Sequence, residues 1–110
     1  MIETPKAVEN IDAIAAVPGI DALLIGTNDL TLEMGIPGEL GHARVQDAYR
    51  RMIEACRKHK KWPGMGGIYD TQHAKTYVDM GARLLLGGSD LSFVASGAKA
   101  RAEFFAGLVK

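Results

Sequence analysis

Apolar residues fall into two kinds of pattern along these 110 residues: short continuous runs and stripes at helical spacing. Leu23-Leu24-Ile25 and Leu84-Leu85-Leu86 are runs, closed by Gly26 and by Gly87-Gly88. Runs of this length are typical of strands buried on both faces of a parallel sheet. They predict buried strands over 21–26 and 83–86. A weaker strand is expected over 62–68, where Pro63, Gly64, Gly66 and Gly67 leave few side chains and Pro63 is tolerable only at the strand's start. Met1-Ile2-Glu3-Thr4 reads as the end of a further strand with Glu3 at its tip.

Between the runs lie the stripes. Thr4 and Pro5 form a helix start, with Thr4 as cap and Pro5 where its missing N–H costs nothing. Val8, Ile11 and Ala15 continue that helix until Pro18-Gly19. A short turn of helix is expected over 31–34, then a Gly/Pro-rich loop over 35–41. Val45, Ala48, Tyr49, Met52, Ile53 and Cys56 share one face of a helix over about 43–60. Its last turn carries Arg57, Lys58, Lys60 and Lys61, cations that suit the negative end of a helix dipole. Asp70 caps another helix reaching Met80 and stopped by Gly81. Ser89 or Asp90 opens a last helical region to about Leu108, with a break expected near Gly97.

Strand tip, helix, strand, helix, strand, helix, strand, helix: this strict alternation predicts an α/β fold, a parallel sheet wrapped by helices. Three strands and a stub leave open edges, which parallel sheets rarely tolerate. A (β/α)₈ TIM barrel needs about 250 residues. The expectation is therefore a single partial domain over 1–110, matching the C-terminal half of such a barrel from the end of strand 5 through helix 8.

Composition narrows the function classes. Thirteen basic and thirteen acidic residues cancel, so nothing marks a nucleic-acid or anionic-membrane binder. No apolar stretch reaches the roughly 18 residues of a transmembrane helix, and the start lacks the plan of a secretory signal. The single cysteine, Cys56, cannot close an internal disulfide, which fits a reducing compartment and a cytoplasmic location.

The candidate chemistry is carried by two acids. Asp29 follows the end of the 21–26 strand, and Glu3 ends the strand stub. Active sites of parallel α/β proteins sit at the C-terminal ends of strands. Neighbouring strands are about 4.8 Å apart, so Glu3 and Asp29 could converge on one ion. Asp29 alone is equally a turn cap for Thr31. Ser89-Asp90 reads as a helix cap ahead of a substrate contact, and Cys56 as core ahead of a nucleophile. His42, His59 and His73 lie in polar surroundings that suit solvated or capping roles. Gly87-Gly88 is compatible with a phosphate cradle or with tight strand-to-helix packing.

Met-Ile-Glu-Thr at 1–4, Ile-Gly-x-x-Asp-Leu-Thr at 25–31 and Met34-Gly35 resemble the metal-dependent aldolases of the HpcH/HpaI type. The resemblance continues through Pro63-Gly64 and Leu86-Gly87-Gly88-Ser89-Asp90, and includes the separation of 26 positions from Glu3 to Asp29. It implies a class II aldolase cleaving 4-hydroxy-2-oxo acids to pyruvate and an aldehyde. The implied metal ligands are Glu3 and Asp29, holding Mg²⁺, Mn²⁺ or Co²⁺. The implied substrate-binding segment is Gly26, Thr27, Asn28 and Asp29, with the pyruvate carboxylate on the backbone N–H groups of Asn28 and Asp29. The implied partners are a small 2-oxo acid and either further copies of the chain or the N-terminal half of the barrel.

The sequence departs from the family at three places. Thr27-Asn28 stands where many members have Pro-Ala, and Gly66 replaces an apolar residue. The family's catalytic Arg and His–Asp pair belong to the first half of the barrel, so no catalytic residue is expected within these 110. Two other functions fit the same residues: a non-catalytic half-barrel that self-associates, and a citramalyl- or malyl-CoA lyase. The second is disfavoured because no basic cluster lies near the site to meet a CoA phosphate.

Overall fold

The computed structural model describes residues 1–109. The strand β1 (Ala22–Gly26) pairs in parallel with β2 (Trp62–Gly66), and β2 with β3 (Leu84–Leu85), giving a sheet in the order β1-β2-β3. The stub joins the free edge of β1 through a parallel bridge between Ile2 and Ile25. The Ile2 N–H donates to the Leu24 carbonyl (2.7 Å) and the Gly26 N–H to the Ile2 carbonyl (3.1 Å). All strands point the same way, so the residues following Ile2, Gly26 and Gly66 lie at one end of the sheet.

The first helical segment is two short helices, α1 (Pro5–Glu9) and α2 (Ile11–Ala15), where one was expected. Asn10 (φ −92°, ψ 11°) interrupts them; its N–H donates back to the Lys6 carbonyl of α1 and its carbonyl accepts from Ile14 N–H of α2. The Thr4 hydroxyl caps α1 by accepting from Ala7 N–H, with Pro5 as its first residue. The helix α3 (Thr27–Glu33) starts directly at the end of β1, four residues earlier than the sequence pattern suggests.

The helix α4 (Ala43–His59) lies across the sheet and buries Val45, Ala48, Tyr49, Met52, Ile53 and Cys56, together with Ala55. The expected stripe is thus the buried face. Lys60 closes α4 in a left-handed conformation (φ 57°). The helix α5 (Thr71–Met80) is capped by Asp70 and stopped by Gly81, as expected. The core is formed by the bridge residue Ile2, the α1 and α2 stripe, Leu23 and Ile25, Leu30 of α3, the α4 face, Met65, Ile68, Tyr77 and Ala82.

Beyond Ala82 the expectations change. Leu84, Leu85 and Leu86 are 43–47% exposed, so the buried strand expected over 83–86 is a two-residue strand with an uncovered flank. The helix α6 (Asp90–Leu108) runs unbroken through Gly97 and buries no residue. One interior glycine costs a helix only about 1 kcal/mol relative to alanine, and the 19-residue helix runs through Gly97. Among the described residues no helix is long and apolar enough to cross a membrane.

Candidate functional site

The stub and β1 bring the two candidate acids to one end of the sheet. Glu3 follows the bridged Ile2 and lies against Gly26: a Cβ at Gly26 would sit 2.8 Å from Glu3 Cγ and 2.8 Å from Glu3 Oε1. Any larger residue there would displace the carboxylate. Three residues past Gly26, exposed Asp29 lies in the first turn of α3. No ion pair among the described residues involves either acid.

Asn28 is exposed beside Asp29 and leans over the end of β2. Gly67, at φ +79°, is the reason it can: a Cβ there would meet Asn28 Nδ2 at 2.9 Å and Asn28 N at 3.4 Å. The first N–H groups of a helix have no partner within it. Those of α3, Asn28 and Asp29 included, lie where the helix begins, directly after the last residue of β1.

Thr27 is placed differently from the expectation. Its side chain is fully buried. Its hydroxyl donates to the Gly66 carbonyl (2.8 Å) and lies 2.8 Å from the Tyr49 hydroxyl. A threonine has one proton to give and a carbonyl has none, so Tyr49 is the donor to Thr27. The Thr27 side chain therefore ties elements together and is not presented to a ligand. Gly26 is also buried, and its contribution is the space it leaves for Glu3.

Tyr49 stacks on Tyr77 with ring centroids 3.9 Å apart, and the Tyr77 hydroxyl donates to the Leu40 carbonyl. Burial pushes both phenols up, Tyr77 to about 12 and Tyr49 further. Both keep their protons and remain donors. Neither tyrosine was singled out for the site from sequence; the one available signal was that Tyr49 is a polar-tipped residue on an otherwise apolar helix face.

The three histidines lie outside the acid-bearing strand ends. His42 caps α4, its Nδ1 accepting from Arg44 N–H (3.1 Å). His59 sits 3.0 Å from Asp12, which also takes Lys58 at 2.9 Å; these hydrogen bonds hold the Asp12 carboxyl below its usual range. His73 pairs with Asp70 at 2.9 Å, and its backbone N–H is the main reason the Asp70 carboxyl is lowered. Cys56 is buried, and burial pushes its thiol up, away from the thiolate a nucleophile needs. Ser89 caps α6 in a reciprocal box with Ser92, the capping role expected of it.

Among the described residues no group of three or more His, Cys, Asp or Glu side chains converges. The available donor set is two carboxylates. Such a set suits a hard, oxygen-seeking dication such as Mg²⁺, which is bound through one or two carboxylates with waters and substrate oxygens in its remaining positions. The residues present fit that kind of ion.

A parallel three-stranded sheet with helices in alternation is consistent with part of a β/α barrel. The family model "HpcH/HpaI aldolase/citrate lyase" matches residues 1–96, and the chain belongs to that family. It is 37% identical over 100 residues to the 4-hydroxy-4-methyl-2-oxoglutarate aldolase tasA of Hapsidospora irregularis, covering 89% of this chain and 37% of that protein. It is 38% identical over 104 residues to a 4-hydroxy-2-oxo-heptane-1,7-dioate aldolase of Escherichia coli, covering 94% of this chain and 39% of that one. The crystal structure of an HpcH/HpaI aldolase from Desulfitobacterium hafniense DCB-2 superposes with a TM-score of 0.80 at 30% identity, over 94% of this chain and 40% of that one. The chain thus spans about two-fifths of the length of the curated relatives it matches.

Proposed function

We propose that this chain is the C-terminal, metal-binding half of a class II aldolase barrel, from the end of strand 5 through helix 8. The whole enzyme cleaves a 4-hydroxy-2-oxo acid to pyruvate and an aldehyde. The observation that carries this reading is the adjacency of Glu3 and Gly26 across a parallel bridge, with Asp29 three residues further on. The aldolase relatives support the same reaction class.

In this reading Glu3 and Asp29 hold the divalent cation. When bound, the cation supplies Lewis-acid stabilisation of the negative charge that develops on the 2-oxo oxygen as the carbon–carbon bond breaks. The backbone N–H groups of Asn28 and Asp29 receive the substrate carboxylate, at the end of α3 where the dipole favours an anion. Gly26 leaves room for the Glu3 carboxylate, and Gly67 leaves room for Asn28. Thr27 acts from behind, through the ties of its hydroxyl to the Gly66 carbonyl and the Tyr49 hydroxyl.

The proton taken from the substrate's 4-hydroxyl needs a base, which contributes typically 10²–10⁴-fold. His42, His59 and His73 are engaged elsewhere, so the base comes from outside these residues. Uncovered Leu84–Leu86 and the bare α6, with Phe93, Phe104 and Phe105 exposed, support association with further copies or with the rest of a barrel. The test is pyruvate release from a 4-hydroxy-2-oxo acid by the chain mixed with the first half of a homologous barrel and Mn²⁺. Activity is expected in the mixture, negligible turnover in the chain alone, and none with Asp29→Ala. Robust turnover by the 110-residue chain alone would overturn the assignment of the base to another segment.

A further inference from the structure

Thr27 and Thr31 are both fully buried although each carries a hydroxyl. They bracket Asn28 and Asp29 in one short helix. Burying a hydroxyl is unfavourable unless it is hydrogen-bonded, and both are. Thr27 reaches Gly66 and Tyr49 at 2.8 Å each. Thr31 donates to the Asn28 carbonyl (2.8 Å) and accepts from Gly38 N–H (3.3 Å).

The bonds of Thr27 run between elements far apart in the chain. Gly66 is the last residue of β2, and Tyr49 belongs to the middle of α4. One hydroxyl thus joins the start of α3 to the adjacent strand end and to the helix covering the sheet. Gly67 then lets the same strand end close on Asn28. We infer that Thr27, held by the Tyr49 hydroxyl, is the positioning residue of the candidate site: it fixes the first turn of α3, and with it the Asp29 carboxylate and the Asn28 and Asp29 N–H groups, against the end of β2. The cation part of this role rests on the function proposed above.

The proton order is determined. Thr27 gives its proton to Gly66, Tyr49 gives its proton to Thr27, and Tyr77 gives its own to Leu40. Tyr77 stacks on the Tyr49 ring and keeps it from swinging away from Thr27. Outer partners that orient a metal-binding side chain typically change metal affinity 10- to 100-fold when removed.

Thr27→Val keeps the shape and removes the hydroxyl, whereas Thr27→Ser keeps the hydroxyl. Both are compared with the parent 110-residue chain by residue-resolved amide hydrogen exchange without metal, and by Mn²⁺ titration. In Thr27→Val we expect exchange at Leu30 and Thr31 to rise at least tenfold while the α4 amides stay as in the parent. Mn²⁺ affinity falls at least tenfold, and Thr27→Ser stays within about threefold of the parent in both readouts. Parental exchange in Thr27→Val overturns the inference whatever the metal does. Faster exchange with parental Mn²⁺ affinity, against a loss in Asp29→Ala, also overturns it, because the tie is then structural only. Should Asp29→Ala bind Mn²⁺ as the parent does, the cation reading is what fails, and exchange alone decides whether Thr27 holds the turn. If Thr27→Val does not fold, Tyr49→Phe, which leaves the Thr27–Gly66 bond, replaces it with the same criteria.

Discussion

The helices α4 and α6 are of similar length, 17 and 19 residues, yet α4 buries seven side chains and α6 none. Both follow the same rule of sequence, a capped start after a strand or loop and a long helix-forming run. What separates them is what lies beside them. The apolar residues of α4 form one stripe that meets Leu23, Ile25 and Met65 of the sheet. Those of α6 are spread around its axis, and it follows a strand of two residues whose flank is itself uncovered. Helical stability in proteins comes chiefly from packing such faces, so the two ends of the molecule are held by very different amounts of interaction. The whole is drawn out to 61 × 30 × 22 Å.

The largest expected effect follows from that contrast. Met52→Ala, at a fully buried position on α4, should cost about 2–5 kcal/mol in urea unfolding. Phe104→Ala, 54% exposed on α6, should change stability by no more than about 0.5 kcal/mol in the monomeric chain. Equal losses would erase the difference between the two ends.

The alkaline limb sharpens the same contrast more gently. Tyr77 has its pKa raised from 10.0 to about 12 by burial, and Tyr49 is raised as well. The folded chain therefore holds these protons more tightly than the unfolded one. Their contribution is complete below pH 10 and is lost as pH rises toward 12. The urea midpoint should fall over that window, and Tyr77→Phe should flatten the fall. A midpoint that stays level from pH 10 to 12 would contradict the buried donor chain.

A smaller effect is expected at the acid end, where Lys58 and His59 lower the Asp12 carboxyl. Here the folded pKa is depressed, so the contribution is present above the usual carboxylate range and is lost as pH falls below 3.8. The pair joins α2 to α4 on the surface, and surface pairs contribute little. Asp12→Asn should leave the neutral-pH midpoint nearly unchanged and slightly flatten the acid limb below pH 3.8. A large loss at neutral pH would show that α2 depends on this pair.

Most of the packed end was legible in the sequence because its signals are local. The Thr4 cap, the α4 stripe, the Asp70 cap and the Gly81 stop each depend on a few neighbouring residues, and each is found as expected. The early start of α3 was not legible, since Thr27, Asn28 and Asp29 are turn-forming types and Thr27 is drawn into the helix by bonds to residues 22 and 39 positions away. Leu84–Leu86 misled for a different reason. An apolar run states that a segment suits burial, but burial needs a covering surface, and these residues have none among those described. At the site, the acids and glycines were visible as strand-end residues, whereas Tyr49 looked like one more member of a core stripe.

Mn²⁺ binding to the 110-residue chain tests the pairing of Glu3 with Asp29 most directly. Titration followed by electron paramagnetic resonance should give one site per chain. Glu3→Gln and Asp29→Asn should each weaken it at least tenfold, and the double variant should be little worse than the weaker single variant. Binding that is unchanged in both single variants would contradict a cation held between the two strand ends.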